Sequence, residues 1–167
     1  MIFHKLKGNS LALPPMPSPG NILVASLGGV LAIAVIAALG QQWSLSLVLG
    51  SFGASCVLVF GFPDSPFSQP RNVVTGHGLS TLIGLIVLSL CGPHWWALGL
   101  AVGLAIAAMM LTRTVHPPAG SNPVIVFLLQ PGWLFLWFPT LAGALLLVAV
   151  ALLYNNLTRD SDYPKYW

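Results

Sequence analysis

The stretch TRTVHPPAGSNPVIVF, residues 112–127, places an arginine, a histidine, three prolines and an asparagine between long apolar segments. Each proline removes a backbone hydrogen-bond donor and prevents a regular helix from running through the stretch. Backbone groups freed at membrane depth must be buried in protein or face water. We therefore expect a helix to end here and another to begin, inside the membrane, for a functional reason.

Composition fixes the class of the protein. Of 167 residues, 56% are hydrophobic and 5% are charged, and the mean hydropathy is +0.87. Soluble domains carry about 25% charged residues, whereas bilayers require apolar runs of about 20 residues. These values exclude a soluble domain and predict an all-α integral membrane protein.

The chain contains about six apolar elements that span the membrane or cross half of it. They are Ile22–Gly40, Ser44–Phe62, Gly76–Gly92, Trp95–Thr112, Pro123–Leu129 and Trp133–Tyr154. Residues 21–157 are predicted to form one transmembrane domain. A flexible cytoplasmic segment, 1–20, precedes this domain, and a cytoplasmic tail, 158–167, follows it.

Two features indicate an internal repeat. LAIA occurs at 31–34 and again at 104–107, and FGASCVLVF at 52–60 resembles PAGSNPVIVF at 118–127. If all six elements cross, every lysine and arginine lies on one side, as the positive-inside rule requires. Three crossings in each half make the halves an inverted repeat, as in transporters and channels. A topology with non-spanning loops, which places Arg71 or Arg113 outside, ranks second.

The charged residues favour an anion as substrate. The sequence contains no glutamate, and its three aspartates lie outside the predicted spans, whereas cation carriers place carboxylates in the membrane. Half-helices starting near Ala54–Ser55 and Gly120–Ser121 would present free amides and positive dipole ends to an anion. Arg113 has no acidic neighbour in sequence and is available for the same purpose.

Metal and redox sites are not indicated. His77, His94 and His116 occur singly, without HExxH or CxxC spacing, so we expect no metal and no cofactor. Cys56 and Cys91 fall in apolar segments and are expected to be reduced packing residues.

The motif TRTVHPPAGSNP resembles the signature of the HPP family of integral membrane proteins, whose His-Pro-Pro triplet is His116, Pro117 and Pro118 here. SFGASCVLVF, SPFSQPRNVVTGH (residues 65–77), YNNL and YPKYW also resemble family blocks. GSNP departs from the small apolar residues that many relatives carry after Ala-Gly. The resemblance implies nitrite transport, with which photosynthetic members are associated. The family is described as having four spans; six are retained here because of the charge pattern and the repeat.

We therefore expect a transporter or channel for a small monovalent inorganic anion, with nitrite first among formate, nitrate and related anions. Hydroxyls of the two broken segments bind the anion, two arginines attract it from the cytoplasmic side, and a histidine carries a proton or donates a hydrogen bond. The predicted substrate-binding residues are Ser55, Arg71, His77, Arg113, His116, Ser121 and Asn122. Pro117, Pro118 and Gly120 shape the break.

Two other functions remain open: a membrane subunit that binds a partner, and a membrane enzyme that uses His116 as a base. No enzymatic activity and no nucleic-acid partner are expected. With no transit peptide visible, we expect a multi-pass protein of the bacterial plasma membrane, both termini cytoplasmic and Gln130–Trp133 on the opposite side. Gly99, Gly103 and Ala107 form a small-residue face suited to close helix contact, which favours a homo-oligomer in the lipid bilayer.

Overall fold

A computed structural model describes residues 12–167, and within this range the secondary structure is helical, without strands. The helices are α1 Pro19–Gln42, α2 Gly50–Gly61, α3 Pro70–Cys91, α4 Trp95–Leu111, α5 Asn122–Leu129 and α6 Ala142–Thr158. Single turns of 3₁₀ helix precede α3 and α5, and a 3₁₀ turn followed by a π-helical segment, Trp133–Leu141, leads into α6. The all-α prediction is confirmed. The predicted flexible segment 1–20 lies mostly outside the described residues.

Among the described residues, three apolar helices are long enough to cross a membrane, namely Pro19–Gln42, Pro70–Cys91 and Trp133–Thr158. The 22 residues of α3 measure about 33 Å, which matches a hydrocarbon core of about 30 Å. The 12 residues of α2 reach only about 18 Å. Ser44–Phe62 is therefore not one continuous helix, because non-helical chain runs up to Leu49 and the helix begins at Gly50.

The first helix of each half ends in the same way. Ser44 follows α1 and Arg113 follows α4, and both have left-handed backbone, with φ of 55° and 58°. In each case the next amide donates to a carbonyl five residues back, in a Schellman motif; the bonds are Leu45 to Gly40 at 2.8 Å and Thr114 to Met109 at 2.9 Å. A non-helical segment and a short helix then follow in both halves, in the order that the sequence predicts.

The third helix of each half lies against the broken segment of the other half. A Cβ at Gly143 of α6 would be 2.7 Å from the carbonyl oxygen of Leu47. A Cβ at Gly76 of α3 would be 3.2 Å from the carbonyl oxygen of Thr114 and 2.8 Å from His116 Cβ. Both glycines therefore permit a close approach of helix and non-helical backbone that a larger residue would prevent.

Two apolar clusters hold the bundle together. One joins α1, α2 and α6 around Phe52, Phe60 and Leu147, and the other joins α3, α4 and α5 around Ala101 and Phe127. Much of the remaining apolar surface is exposed on the outside of the bundle, as expected for a protein that lipid surrounds.

Helix α4 packs on α3 through alanines spaced four residues apart, Ala97, Ala101 and Ala105. The predicted small-residue face of Gly99, Gly103 and Ala107 is exposed. A Cβ at Gly99 or Gly103 would meet no atom of the described chain within 4 Å. This face is thus unoccupied within the described monomer, and its use by a second copy stays a prediction.

Candidate functional site

Four of the predicted site residues, Ser55, His77, His116 and Asn122, meet inside the bundle, each with 0% of its surface exposed. Ser55 Oγ lies 2.9 Å from His77 Nε2 and 2.8 Å from His116 Nε2. Asn122 Nδ2 lies 3.0 Å from His77 Nδ1. We call these four side chains the central cluster.

Local structure explains how these residues converge. His116 has extended backbone, φ −132° and ψ 97°, as expected of a residue before proline. Pro117 and Pro118 then start a 3₁₀ turn, and Asn122 is the first residue of α5. The turn directs one side chain of the HPP motif and the first side chain of α5 towards His77 on α3.

The two short helices contribute equivalent positions. Ser55 precedes Phe60 by five residues in SCVLVF, and Asn122 precedes Phe127 by five residues in NPVIVF. In both helices this phenylalanine and the valine before it are buried. Ser55 and Asn122 bind opposite nitrogens of the same ring, that of His77. One histidine therefore joins the two halves of the chain.

The hydrogen bonds determine the tautomer of His116. Its Nδ1 is 2.7 Å from the carbonyl oxygen of Phe67, which can only accept, so Nδ1 carries the proton. In a neutral imidazole the other nitrogen is then an acceptor. Ser55 Oγ–H therefore donates to His116 Nε2. If the hydroxyl instead donated to the Ser51 carbonyl at 3.1 Å, the buried Nε2 would lose its donor.

His77 has the opposite tautomer. Asn122 Nδ2 is within 3.2 Å of the His77 carbonyl oxygen, which can pair only with a donor, and this contact assigns the NH₂ group. The same NH₂ faces His77 Nδ1, which is therefore an acceptor, and the ring proton lies on Nε2. A directed chain results, in which His77 donates to Ser55, Ser55 to His116, and His116 to the Phe67 carbonyl.

The surroundings of the central cluster are apolar or neutral. The ring of Phe52 packs edge-on against His77, with ring centroids 5.1 Å apart. Thr81 accepts from Asn122 at 2.8 Å and lies 3.3 Å from Thr140. Within residues 12–167, no lysine, arginine, aspartate or glutamate side chain hydrogen-bonds to the four residues. The central cluster is therefore surrounded by uncharged groups of the described chain.

Ser121 does not join the central cluster. Its hydroxyl donates to the Pro118 carbonyl at 2.8 Å, and it lines an external apolar groove together with Ala54 and Pro117. The reason is the position of the helix start. Helix α5 begins at Asn122, which faces inwards, and the preceding residue faces outwards. The predicted approach of the Ser55 and Ser121 hydroxyls to one path is not found.

The predicted half-helix starts are also displaced. Helix α2 begins at Gly50, so Ser55 lies within the helix and not at its amino end. Within the second break, Pro118 is buried, Pro117 is exposed and Gly120 is half-buried. The break therefore presents the side chains of His116 and Asn122, rather than a row of free amides, to the interior.

Arg71 and Arg113 lie at the end of the bundle, outside the central cluster. The Arg71 guanidinium donates to the carbonyls of Arg113 and Thr112 at 2.9 and 3.0 Å, where a cation also complements the dipole of α4. The Arg113 side chain is exposed and makes no hydrogen bond or ion pair with the described residues. Arg71 thus supports the break, and Arg113 is available to solvent or a ligand.

The carboxyl-terminal tail folds back onto the loop that holds His116. Tyr163 is buried, and its hydroxyl donates to the Ser68 carbonyl at 2.8 Å; this burial raises the pKa of the phenol above its usual value. Lys165 forms an exposed ion pair with Asp64 at 3.1 Å, and Arg159 donates to the Phe60 carbonyl. Sequence reasoning missed this contact, since tail and loop are about 100 residues apart, a separation no local pattern spans.

Comparison with known proteins agrees with the motifs. The family described as "HPP, transmembrane region" matches residues 14–164. Two transmembrane proteins of Dictyostelium discoideum are similar: one is 38% identical over 168 residues, covering 92% of this chain and 58% of the relative. The other is 39% identical over 128 residues, covering 72% and 41%.

The chain spans about half the length of these curated relatives. No solved structure matches it significantly. Since the family match covers nearly the whole chain, this protein belongs to the HPP family of integral membrane proteins.

Proposed function

We propose that the protein moves a small monovalent inorganic anion, with nitrite as the first candidate, across a cell membrane. The central cluster carries this proposal, because it collects imidazole, hydroxyl and amide groups in the interior of an apolar bundle. The N–H and O–H groups of these side chains are neutral donors that could exchange their present partners for the oxygens of an anion. No carboxylate of the described chain contacts the cluster to repel it.

The basic residues support an entry at one end of the bundle. Arg71 and Arg113 contact each other through the Arg71 guanidinium and the Arg113 carbonyl. The loop that supplies Phe67 to His116 also binds the tail, which contains Lys165. The His116 segment connects this end of the bundle to the central cluster. Arg113 is the residue we expect to meet it first, because its side chain is exposed and unbound in the described chain.

We further propose that the two halves form an inverted repeat with both termini in the cytoplasm. Equivalent helix ends at Ser44 and Arg113 support the repeat, as do the reciprocal contacts of Gly76 and Gly143. The positive-inside rule places the basic end in the cytoplasm of the cell. Gln130–Trp133 then lies on the opposite side.

Flux in liposomes tests the transport proposal. Purified protein should accelerate nitrite entry over protein-free vesicles, and His116→Gln should lower this flux at least roughly tenfold, equivalent to about 1.4 kcal/mol. His94→Gln, at an exposed histidine outside the central cluster, is the matched control. For serine variants the control is Ser26→Ala, because Ser26 is an exposed helical serine whose hydroxyl bonds the carbonyl four residues back. Nitrite entry no faster than in empty vesicles would reject transport of this anion. Parallel assays with formate and nitrate define selectivity.

Cysteine labelling tests the orientation. In a background without Cys56 and Cys91, single cysteines at Gly132 and Asp162 should react differently with a membrane-impermeant thiol reagent in intact cells. Labelling at Gly132 alone is expected. Equal labelling would contradict the six-element topology.

A membrane enzyme that uses His116 as a base is the second candidate. Ser55 Oγ, His116 Nε2 and the Phe67 carbonyl on Nδ1 follow the order of nucleophile, base and orienting group. Both side chains are fully buried, so a substrate would need an opening. Covalent modification of Ser55 by a fluorophosphonate, in protein without nitrite flux, would favour the enzyme.

A further inference from the structure

Asn122 leaves one buried polar atom without a partner. Its Oδ1 makes no hydrogen bond within the described chain, although an unpartnered buried acceptor costs about 1–3 kcal/mol. Its NH₂ group, by contrast, has three acceptors within 3.2 Å for two hydrogens. The NH₂ group therefore has more acceptors than hydrogens, while Oδ1 has no donor.

A half-turn of this amide exchanges the positions of Oδ1 and the NH₂ group. Oδ1 would then accept from a protonated His77 Nδ1 and from the Thr81 hydroxyl, and these two bonds offset its repulsion by the His77 carbonyl oxygen at 3.2 Å. The resting arrangement suits His77 without a proton on Nδ1, and the rotated one suits His77 with that proton. Asn122 is thus matched to two protonation states of the same ring.

We propose that His77 binds a proton on Nδ1, that the Asn122 amide rotates when this proton is bound, and that Ser55 relays the charge from His77 to His116. The proposal rests on the proposed anion transport, to which it adds proton coupling. A proton moving with a monovalent anion cancels a cost of about 2.3 kcal/mol per 100 mV for entry into a negative-inside cell.

The relay balances without any other reactant. A proton binds His77 Nδ1, and the ring becomes an imidazolium. The Nε2 proton of His77 then passes to Ser55 Oγ while the hydroxyl proton of Ser55 passes to His116 Nε2. His116 is now the imidazolium, His77 is neutral with its proton on Nδ1, and Ser55 again has one proton. The positive charge has moved between rings whose centroids are 5.0 Å apart.

The hydrogen-bonded groups continue on both sides of the two rings. In order they are Thr140, Thr81, Asn122, His77, Ser55, His116 and the Phe67 carbonyl. At 1.5 Å per residue, Thr81 lies about 17 Å from the start of α3 and His77 about 11 Å. The chain of groups therefore leads from mid-membrane depth towards the basic end of the bundle.

Other titratable groups on the packed elements do not contact this chain of groups. Cys56 is next to Ser55 on α2 but points into the apolar cluster of α1, α2 and α6. Arg71 binds the carbonyls that follow α4, Arg113 is exposed, and Tyr163 donates to Ser68. His77 and His116 are the groups left to exchange a proton through Ser55.

Nitrogen-15 NMR of the protein in bilayers tests the relay without any transport measurement. His4→Gln and His94→Gln leave two histidines in the chain, and a further His116→Gln assigns the signals. Near neutral pH we expect an Nε2–H tautomer for His77 and an Nδ1–H tautomer for His116. On acidification, imidazolium signals should appear on both rings of this two-histidine protein and exchange with each other, and Ser55→Ala should slow this exchange because the hydroxyl that links the two Nε2 atoms is gone. Two rings with the same tautomer, or an unchanged exchange rate with Ser55→Ala, would overturn the relay.

Liposome assays separate this inference from the transport proposal. The number of protons taken up per nitrite should fall with Ser55→Ala, in the flux that remains, and stay unchanged with Ser26→Ala. If NMR shows the predicted tautomers but the liposomes show no nitrite flux, the transport proposal is rejected and the relay stands. If nitrite flux is observed but the two rings have the same tautomer, the relay is rejected and the transport proposal stands.

Discussion

The broken segments before α2 and before α5 occupy equivalent places in the chain but are held in different ways. The first is held mainly by apolar packing; Leu47 and Leu49 are buried, and Gly143 admits the Leu47 carbonyl at close range. The second is held by side chains of α3, where Arg71, Asn72 and Ser80 donate to backbone carbonyls of residues 112–119.

The first segment supports the fold, whereas the second also carries polar side chains of the candidate site. Both segments must satisfy or bury their backbone groups at membrane depth. Packing achieves this in the first segment with few polar side chains, and such a segment offers little to a polar ligand. Hydrogen bonds achieve it in the second, which also carries His116 and Asn122. We therefore assign binding chemistry to the second segment and rigidity to the first.

The largest effect on this comparison is expected from Gly143→Ala. Its Cβ would lie 2.7 Å from the Leu47 carbonyl oxygen and would overlap the ring of Phe52, and overpacking of this kind costs about 1–3 kcal/mol. Gly76→Ala, with His116 Cβ at 2.8 Å, should cost a similar or smaller amount. Thermal unfolding in detergent measures both, with Gly99→Ala as the control in open space. Stability of Gly143→Ala equal to that of Gly99→Ala would contradict the packing of the first segment.

A smaller effect is expected from Arg71→Met, which removes two hydrogen bonds to the carbonyls after α4. Because this side chain is exposed, we expect a loss of about 1 kcal/mol. Arg113→Met should leave the unfolding temperature unchanged and lower nitrite flux, since its side chain has no partner in the described chain. If Arg113→Met destabilised the protein more than Arg71→Met, the two assigned roles would be reversed.

The smallest effect is expected in the tail. Tyr163→Phe removes the buried bond to Ser68 and should cost about 1 kcal/mol or less, seen as earlier proteolysis of the tail. Tyr166→Phe, which removes an exposed bond of 3.1 Å to Pro66, is the matched control. Equal protease resistance of the two variants would show that the tail does not depend on Tyr163.

Sequence patterns predicted the helical class, the order of the elements and four members of the central cluster. Composition and apolar runs predict the helical class and the order of the elements, because a bilayer requires apolar helices long enough to cross it. The sequence predicts His116 and Asn122 as site residues, because proline and polar residues at membrane depth cost free energy and therefore indicate a function.

The geometry of the two breaks was less predictable. Ser121 and Asn122 are neighbours in sequence, and only the exact start of α5 decides which faces inwards, a boundary that patterns locate to within a few residues. The sequence predicts an anion-binding role for Arg71 but not its hydrogen bonds to the Arg113 and Thr112 carbonyls, because backbone partners leave no trace in the sequence. The contact between tail and loop joins distant residues and has no periodic signal.

Nitrite flux through Ser55→Ala and Ser121→Ala, measured side by side in liposomes, tests the central claim most directly. Both substitutions remove one hydroxyl next to a broken segment, but only Ser55 contacts His77 and His116. The account predicts that Ser55→Ala loses most of the flux and that Ser121→Ala keeps it. Equal flux through the two variants, or a greater loss with Ser121→Ala, would contradict a transport role for the central cluster.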